Sequence, residues 1–339
     1  MATSTFRQAT LAGLLVALHG APAHALNAKS WVSKAGSDAN DCSLAHPCAT
    51  FQRAHDQTAP GGEVGVLTPG DYGAATGIRL SINKSVNITN DGSGEASILA
   101  TPGGFAVEVD SGQGDVVSLR GLVIDGLGSG HVGIQFQGGL ALHVQNCVIR
   151  NFEGVIPDSG FGILFLPNFH SSLGGSQRIF LSDTLIYNNG GGGHGTGGIF
   201  VQWEFEASNS ADLVLDRVRL ENNVDGISFE SLAPGGGIHV IVRDSVLSGN
   251  AANGLHAFTA PGNGPAFAVM ERSSLVNNRK NGILADGPGA TILLNDSTVA
   301  RNAAGISTVN SGQLISYRNN RINNNIGPDG TPTSFLTLN

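Results

Sequence analysis

Along most of this chain, apolar residues arrive in two short bursts that recur at a fixed distance, with Asn and Gly between them. The pattern is plainest over residues 217–306, where one phrase is written four times. Its copies read Arg217-Val218-Arg219-Leu220-Glu221-Asn222-Asn223 then Gly226-Ile227; Asp244-Ser245-Val246-Leu247 then Asn250 and Gly254-Leu255; Arg272-Ser273-Ser274-Leu275-Val276-Asn277-Asn278 then Gly282-Ile283; and Asp296-Ser297-Thr298-Val299 then Asn302 and Gly305-Ile306. The Gly-aliphatic pair returns after 28, 28 and 23 residues, a period that marks a repeat architecture. Extended along the chain, the bursts form two columns. The first is Ile124, Ile149, Ile186, Leu220, Leu247, Leu275, Val299 and Ile322; the second is Ile134, Ile163, Ile199, Ile227, Leu255, Ile283 and Ile306, each preceded by Gly.

The bursts are too short for helices and alternate as strands do. Asp225-Gly226, Asn253-Gly254 and Asn281-Gly282 are hairpin dipeptides, but hairpins reverse direction, whereas equivalent residues here return after one period. That period accommodates about three strands of 4–6 residues with their turns. Leucine-rich repeats have a similar length, yet their frame fails because the Asn of Leu220-Glu221-Asn222 comes too early. The pattern predicts an all-β solenoid, a parallel β-helix in which each repeat is one coil and like residues stack on like.

Stacking also accounts for most polar positions. Asn follows the first column at 151, 188, 222, 277 and 324, and again one place on at 189, 223, 250, 278, 302 and 325. Asn tolerates left-handed turns, and its amide can bond to its counterpart one coil away. The charges form columns too: Asp183, Arg217, Asp244, Arg272 and Asp296, beside Asp216, Arg243 and Glu271. Alternating signs at a rung of about 4.8 Å read as ion-pair ladders rather than chemistry.

The ends differ. Residues 1–25 read as a signal peptide, with Arg7, an apolar run over 11–18 and Ala23-His24-Ala25 as the cleavage site; the run is too short to span a bilayer. The expected location is secreted or periplasmic. Residues 26–63 read as a cap carrying a short helix over 49–56 and a disulfide between Cys42 and Cys48, fitting a secreted protein. Residues 64–325 are the β-helix, and 326–339 a tail or last partial coil. Cys147 stands where other coils have Thr184, Ser245, Ser273 and Ser297, and reads as a small buried residue.

Composition agrees: 49 of 339 residues are Gly and only 13% are charged, as expected of short strands joined by tight turns. Losing residues 1–25 removes Arg7 and no acid, taking the net charge from −8 to −9. That balance argues against nucleic acid or an anionic membrane surface as partner.

The chain resembles the secreted right-handed parallel β-helix proteins of the pectin-lyase-like superfold. More narrowly it is similar to a bacterial group with a Cys-containing cap, carried here by Asn90-Asp91-Gly92-Ser93-Gly94-Glu95-Ala96, by Leu119-Arg120-Gly121-Leu122 and by Ser316-Tyr317-Arg318-Asn319-Asn320. The resemblance implies the fold far more than the chemistry, because the superfold hosts lyases, hydrolases, epimerases and adhesins.

Chemistry would sit on outward positions of the second-column strands. In the middle coils these are Phe200, Gln202, Glu204, Glu230, His256, Phe258 and Asp286. Glu230, His256 and Asp286 are the catalytic candidates; Phe200, Gln202, Glu204 and Phe258 the substrate-binding ones. Rings beside carboxylates and an imidazole suit a sugar-binding groove. Glu230 and Asp286 fall two coils apart, roughly 9.6 Å, near the separation used by inverting glycosidases. Departures from the repeat fall at 154–160, 167–177, 190–197, 203–211 and 232–237, and carry His170, His194, Trp203, Glu204 and Glu206. Alternation from Ile199 and Val201 points Trp203 inward.

Gly193-His194-Gly195 is similar to a polygalacturonase motif, but that family's Asn-Thr-Asp, Asp-Asp and Arg-Ile-Lys are missing. The lyase pattern Arg-x-Pro-x-x-Arg, the epimerase Asp-Pro-His and nonapeptide calcium repeats are also missing. No metal or other cofactor is expected. The reading is a secreted β-helix that binds extracellular or cell-surface polysaccharide without turnover; the alternative is a polysaccharide hydrolase or lyase working along the middle coils.

Overall fold

In the computed structural model, which describes residues 25–154, 159–167, 175–191, 195–204 and 207–337, the strands form three parallel sheets of twelve, ten and nine. The coil Ala207–Asp216, Arg219–Glu221, Asp225–Ser231 contributes one strand to each in that order, and Gly235–Arg243 then returns to the first. The signal-peptide reading and the cleavage site before residue 25, together with His170, His194 and Glu206, lie outside the described residues. Among the described residues no helix is long and apolar enough to cross a membrane.

Both apolar columns hold rung by rung. Ile124, Ile149, Ile186, Leu220, Leu247, Leu275, Val299 and Ile322 pair in sequence in the ten-stranded sheet. Ile134, Ile163, Ile199, Ile227, Leu255, Ile283 and Ile306 do so in the nine-stranded sheet. Alternation sends these side chains inward, where nearly all are fully buried. Each such burial stabilises by about 1.5–3 kcal/mol.

The Asn ladder is present, and it explains the glycines. Asn250 Nδ2 donates to Asn278 Oδ1 at 2.8 Å, Asn278 to Asn302 at 2.8 Å and Asn302 to Asn325 at 3.0 Å. Each Oδ1 also accepts the backbone N–H of the preceding rung. Asp329 closes the ladder, its Oδ1 accepting from Asn325 N at 3.1 Å and Nδ2 at 2.8 Å. A Cβ on Gly226 would lie 2.4 Å from Gly254 O and 3.1 Å from Asn250 Nδ2. The Gly before each aliphatic is therefore demanded by a close approach of coil to coil.

The residue before each ladder Asn turns left-handed, with φ of +55 at Asn222, +59 at Asn277 and +58 at Asn324. So does the charged column: Asp183 +50, Arg217 +54, Asp244 +51, Arg272 +45 and Asp296 +43. This geometry costs about 1–2 kcal/mol for a side chain other than Gly, Asn or Asp, and at Arg217 and Arg272 an ion pair to the acid one rung back compensates it, so the column is two separate pairs and not the continuous ladder expected. Arg217 binds Asp183 with both Nε (2.7 Å) and Nη2 (3.0 Å), and Arg272 binds Asp244 likewise (2.8 and 2.9 Å). Arg217 and Arg243 converge on Asp216.

The N-terminal end of the stack is shielded. Helix Phe51–Gln57 begins at Thr50, whose side chain accepts from Arg53 N at 3.1 Å. Phe51 and Ala54 are buried against the first coils, Phe51 packing on Tyr72. Gln52 accepts from Ser81 N at 2.7 Å and donates to Ser81 O at 3.3 Å, bonding an edge strand of the nine-stranded sheet as another strand would. Cys42 and Cys48 are joined. The twelve-stranded sheet starts at Asn27–Val32, within the segment read as a cap, and ends at Ser334–Phe335, within that read as a tail. Cys147 is buried, and burial pushes its thiol up to about 11.

Candidate functional site

The outer face of the nine-stranded sheet carries the sequence-predicted residues in register. Phe200 pairs with Ser228 and Ser228 with His256; Gln202 pairs with Glu230, Glu230 with Phe258 and Phe258 with Asp286. Alternation along each strand puts them all on one face. Glu230 and Asp286 stand two rungs apart, about 9.6 Å at about 4.8 Å per rung. Glu204 lies just past the strand Gly197–Trp203 and is exposed, outside this register.

Position on the face and access to solvent turn out to be different properties. Phe200, expected as an open platform, is only 5% exposed and packs with Val132, Phe161 and Leu164. Its ring stacks on Phe161 with centroids 5.7 Å apart. A Cβ on Gly195 would meet the Phe200 ring at 2.6 Å, so Gly195 lies over it. Phe200 is therefore part of a small second core on the outside of the sheet, and its ring is not presented to solvent. Glu230, also expected at the surface, is 3% exposed. Its strand, Asp225–Ser231, is buried along its whole length on both faces.

One coil further on the face opens. His256, Phe258 and Asp286 are half-buried. His256 Nδ1 lies 3.4 Å from Ser228 Oγ, its ring tilted 6.5 Å from Phe258. Asp286 Oδ1 accepts from Asn310 Nδ2 at 2.7 Å. An enclosed carboxylate, an imidazole, an aromatic ring and an outer carboxylate thus sit on consecutive rungs. Such a strip can hydrogen-bond hydroxyls and stack a sugar ring. Among the described residues no group of three or more His, Cys, Asp or Glu could hold a metal ion.

Two features escaped the sequence reading. On the same face nearer the N-terminus, Gln135 Nε2 donates to Gln137 Oε1 at 2.6 Å and Gln137 Nε2 to Glu108 Oε1 at 3.3 Å. Glu108 was legible, since Val107-Glu108-Val109 alternates and Glu108 pairs with Gln135. Trp203 is fully buried, as alternation indicated, but its Nε1 has no hydrogen-bond partner among the described residues. Ser231, in register with Trp203, has its Oγ in the same condition.

Residues 72–295 match the family model described as the right-handed beta helix region. No curated protein matches the chain by sequence. Among solved structures, the chain is similar to the pectate lyase Pel9A, with a TM-score of 0.65 and 16% identity over 91% of this chain and 78% of that one. It is also similar to an alginate lyase from Paenibacillus sp. str. FPU-7, with a TM-score of 0.59 and 15% identity over 91% of this chain and 98% of that one. At such identities the likeness carries the fold alone. With three parallel sheets, an internal Asn ladder and a family match across most of its coils, the chain belongs to the right-handed β-helix family and has a pectin-lyase-like fold.

Proposed function

We propose that this protein is exported by residues 1–25 and binds an extracellular or cell-surface polysaccharide along the outer face of the nine-stranded sheet, without turning it over. The observation that carries the reading is the in-register strip Glu230, His256, Phe258, Asp286 at the place where the face opens. Half-buried Phe258 offers a ring edge and face, and the flanking polar groups supply acceptors and donors for hydroxyls. Solved relatives of this fold are named as a pectate lyase and an alginate lyase, which supports a polysaccharide as the ligand class. Affinity electrophoresis through gels cast with a panel of neutral and acidic polysaccharides tests it. The wild type is retarded by at least one polymer and Phe258→Ala is not; equal mobility of the two in every gel overturns the assignment of the site.

One observation favours a second reading, catalysis. A carboxylate as enclosed as Glu230, two rungs or about 9.6 Å from the more open Asp286, stands near the upper end of the separation of an acid and base pair that holds a water between them, about 6.5–9.5 Å. Release of reducing ends, lost in Glu230→Gln with the fold unchanged, would establish a hydrolase and displace the non-catalytic reading.

A further inference from the structure

A different part of the molecule has the make-up of an anion site. The turns between the ten- and nine-stranded sheets in the last coils enclose an open groove of about 750 Å³. That is within the usual size of small-ligand sites, about 300–1,000 Å³. Arg279 and Arg301 line it with Asn277 and Asn324, Ala303 forms apolar floor, and Ile326, 85% exposed, stands at its rim. No acidic residue lines it. In a chain of net charge −8 this is the less expected sign.

The arginines of the charged columns in the preceding coils are paired. Arg217 is held by Asp183 and Asp216, Arg219 by Glu221, Arg243 by Asp216 and Arg272 by Asp244 and Glu271. Arg279, Lys280 and Arg301 form no ion pair with any described carboxylate. Arg301 also occupies a costly place. Its φ is +59, in the column where Asn277 (+59) and Asn324 (+58) flank it. An Arg there costs about 1–2 kcal/mol that Asn or Gly would largely avoid, and no acid compensates it as Asp183 compensates Arg217. Its Nε donates to Asn277 Oδ1 at 3.0 Å. That bond fixes the plane of the guanidinium while its terminal N–H groups remain for a ligand.

We infer that this groove binds a carboxylate-bearing saccharide, Arg301 and Arg279 gripping the carboxylate, the Asn277 and Asn324 amides the hydroxyls, and Ile326 the apolar edge of a ring. A planar guanidinium matches a carboxylate with two parallel hydrogen bonds. The site is separate from the strip at Phe258 and does not depend on the reading given there. The groove opens at the start of the strand Asn281–Asp286, whereas Asp286 ends it.

The test is calorimetric titration of the full protein with a uronate oligosaccharide, its carboxyl-reduced counterpart and a single-stranded DNA oligomer. Arg301→Asn suits the left-handed backbone, so it keeps the fold. It should weaken uronate binding by about tenfold or more, as should Arg279→Gln, whereas Arg219→Gln, whose guanidinium is held by Glu221, should leave it unchanged. Binding of the reduced sugar should be weaker by a similar factor, and rising salt should weaken uronate binding. Uronate binding that survives both Arg substitutions, or that is matched by the reduced sugar, overturns the proposal. Loss only in Phe258→Ala would overturn it too, while leaving the Phe258 site intact. DNA bound as tightly as the uronate would overturn the saccharide assignment in favour of a general polyanion.

Discussion

Asn278→Ala is the sharpest test of what holds the coils together. Asn278 Oδ1 accepts from Asn250 N (3.1 Å) and Asn250 Nδ2 (2.8 Å), and its Nδ2 donates to Asn302 Oδ1 (2.8 Å) and Leu247 O (3.2 Å). The substitution removes all four bonds. Some groups keep another partner: Asn250 Nδ2 still reaches Leu220 O at 3.4 Å, and Asn302 Oδ1 still accepts residue 278's own N–H at 3.0 Å. The Asn250 backbone N–H is left with nothing, at a cost of about 1–3 kcal/mol, and the three weakened groups add about 0.5–1 kcal/mol each. The expected loss is about 3–5 kcal/mol. Asn222→Gly is the control, since Asn222 is exposed at φ +55 and the next coil already has Gly249 in its place. It should change stability by less than about 0.5 kcal/mol. Urea unfolding followed by circular dichroism gives the global term, and hydrogen exchange at the Asn250 amide the local one, which matters because a solenoid can open in part. A loss below about 1 kcal/mol with Asn250 still protected would refute the view that the ladder is a buried, energetically coupled chain.

Arg217 hydrogen-bonds Asp183 and holds that carboxyl below its ordinary range. Because the folded pKa is depressed, the stabilisation is present above the unfolded value of about 3.9 and is lost as pH falls through the lower folded one. Arg217→Gln should therefore melt below the wild type near neutral pH and converge with it in strong acid; a deficit that ignores pH refutes the pairing. Gly226→Ala drives a Cβ to 2.4 Å from Gly254 O and should destabilise by about 1–3 kcal/mol in thermal melts, since overpacking is felt as strain; an unchanged midpoint would mean the coils can separate freely. The Cys147 thiol, buried and pushed up to about 11, should resist a disulfide reagent at about pH 8 until urea unfolds the protein. Prompt labelling of the folded chain would contradict its burial.

The fold was legible to an unusual depth because stacking makes one residue's environment repeat. Ile186, Leu220, Leu247 and Leu275 could be aligned by eye, and they pair on successive rungs. Asn250, Asn278 and Asn302 could likewise be named as a ladder from spacing alone. The left-handed backbone under Arg217 and Arg272 was not legible, because nothing in an Arg announces a positive φ. The compensating ion pairs that make it tolerable are contacts between coils.

At the candidate strip, the period-2 alternation of the chain by itself determined which side of the sheet Phe200, Gln202, Glu230, His256, Phe258 and Asp286 occupy, and that they line up. Only the tertiary structure decided which of them reach solvent. Phe200 is covered by Gly195 and by Phe161, and Glu230 is enclosed, whereas Phe258 and Asp286 stay partly open. Burial is a property of whatever folds over a face, and here that is a turn residue and a ring from the neighbouring coil, which the alternation of one strand does not reveal. The groove at Arg279 and Arg301 has the same origin: it takes stacking of one coil on the next, with no acid between, to bring two guanidiniums that form no ion pair into one groove.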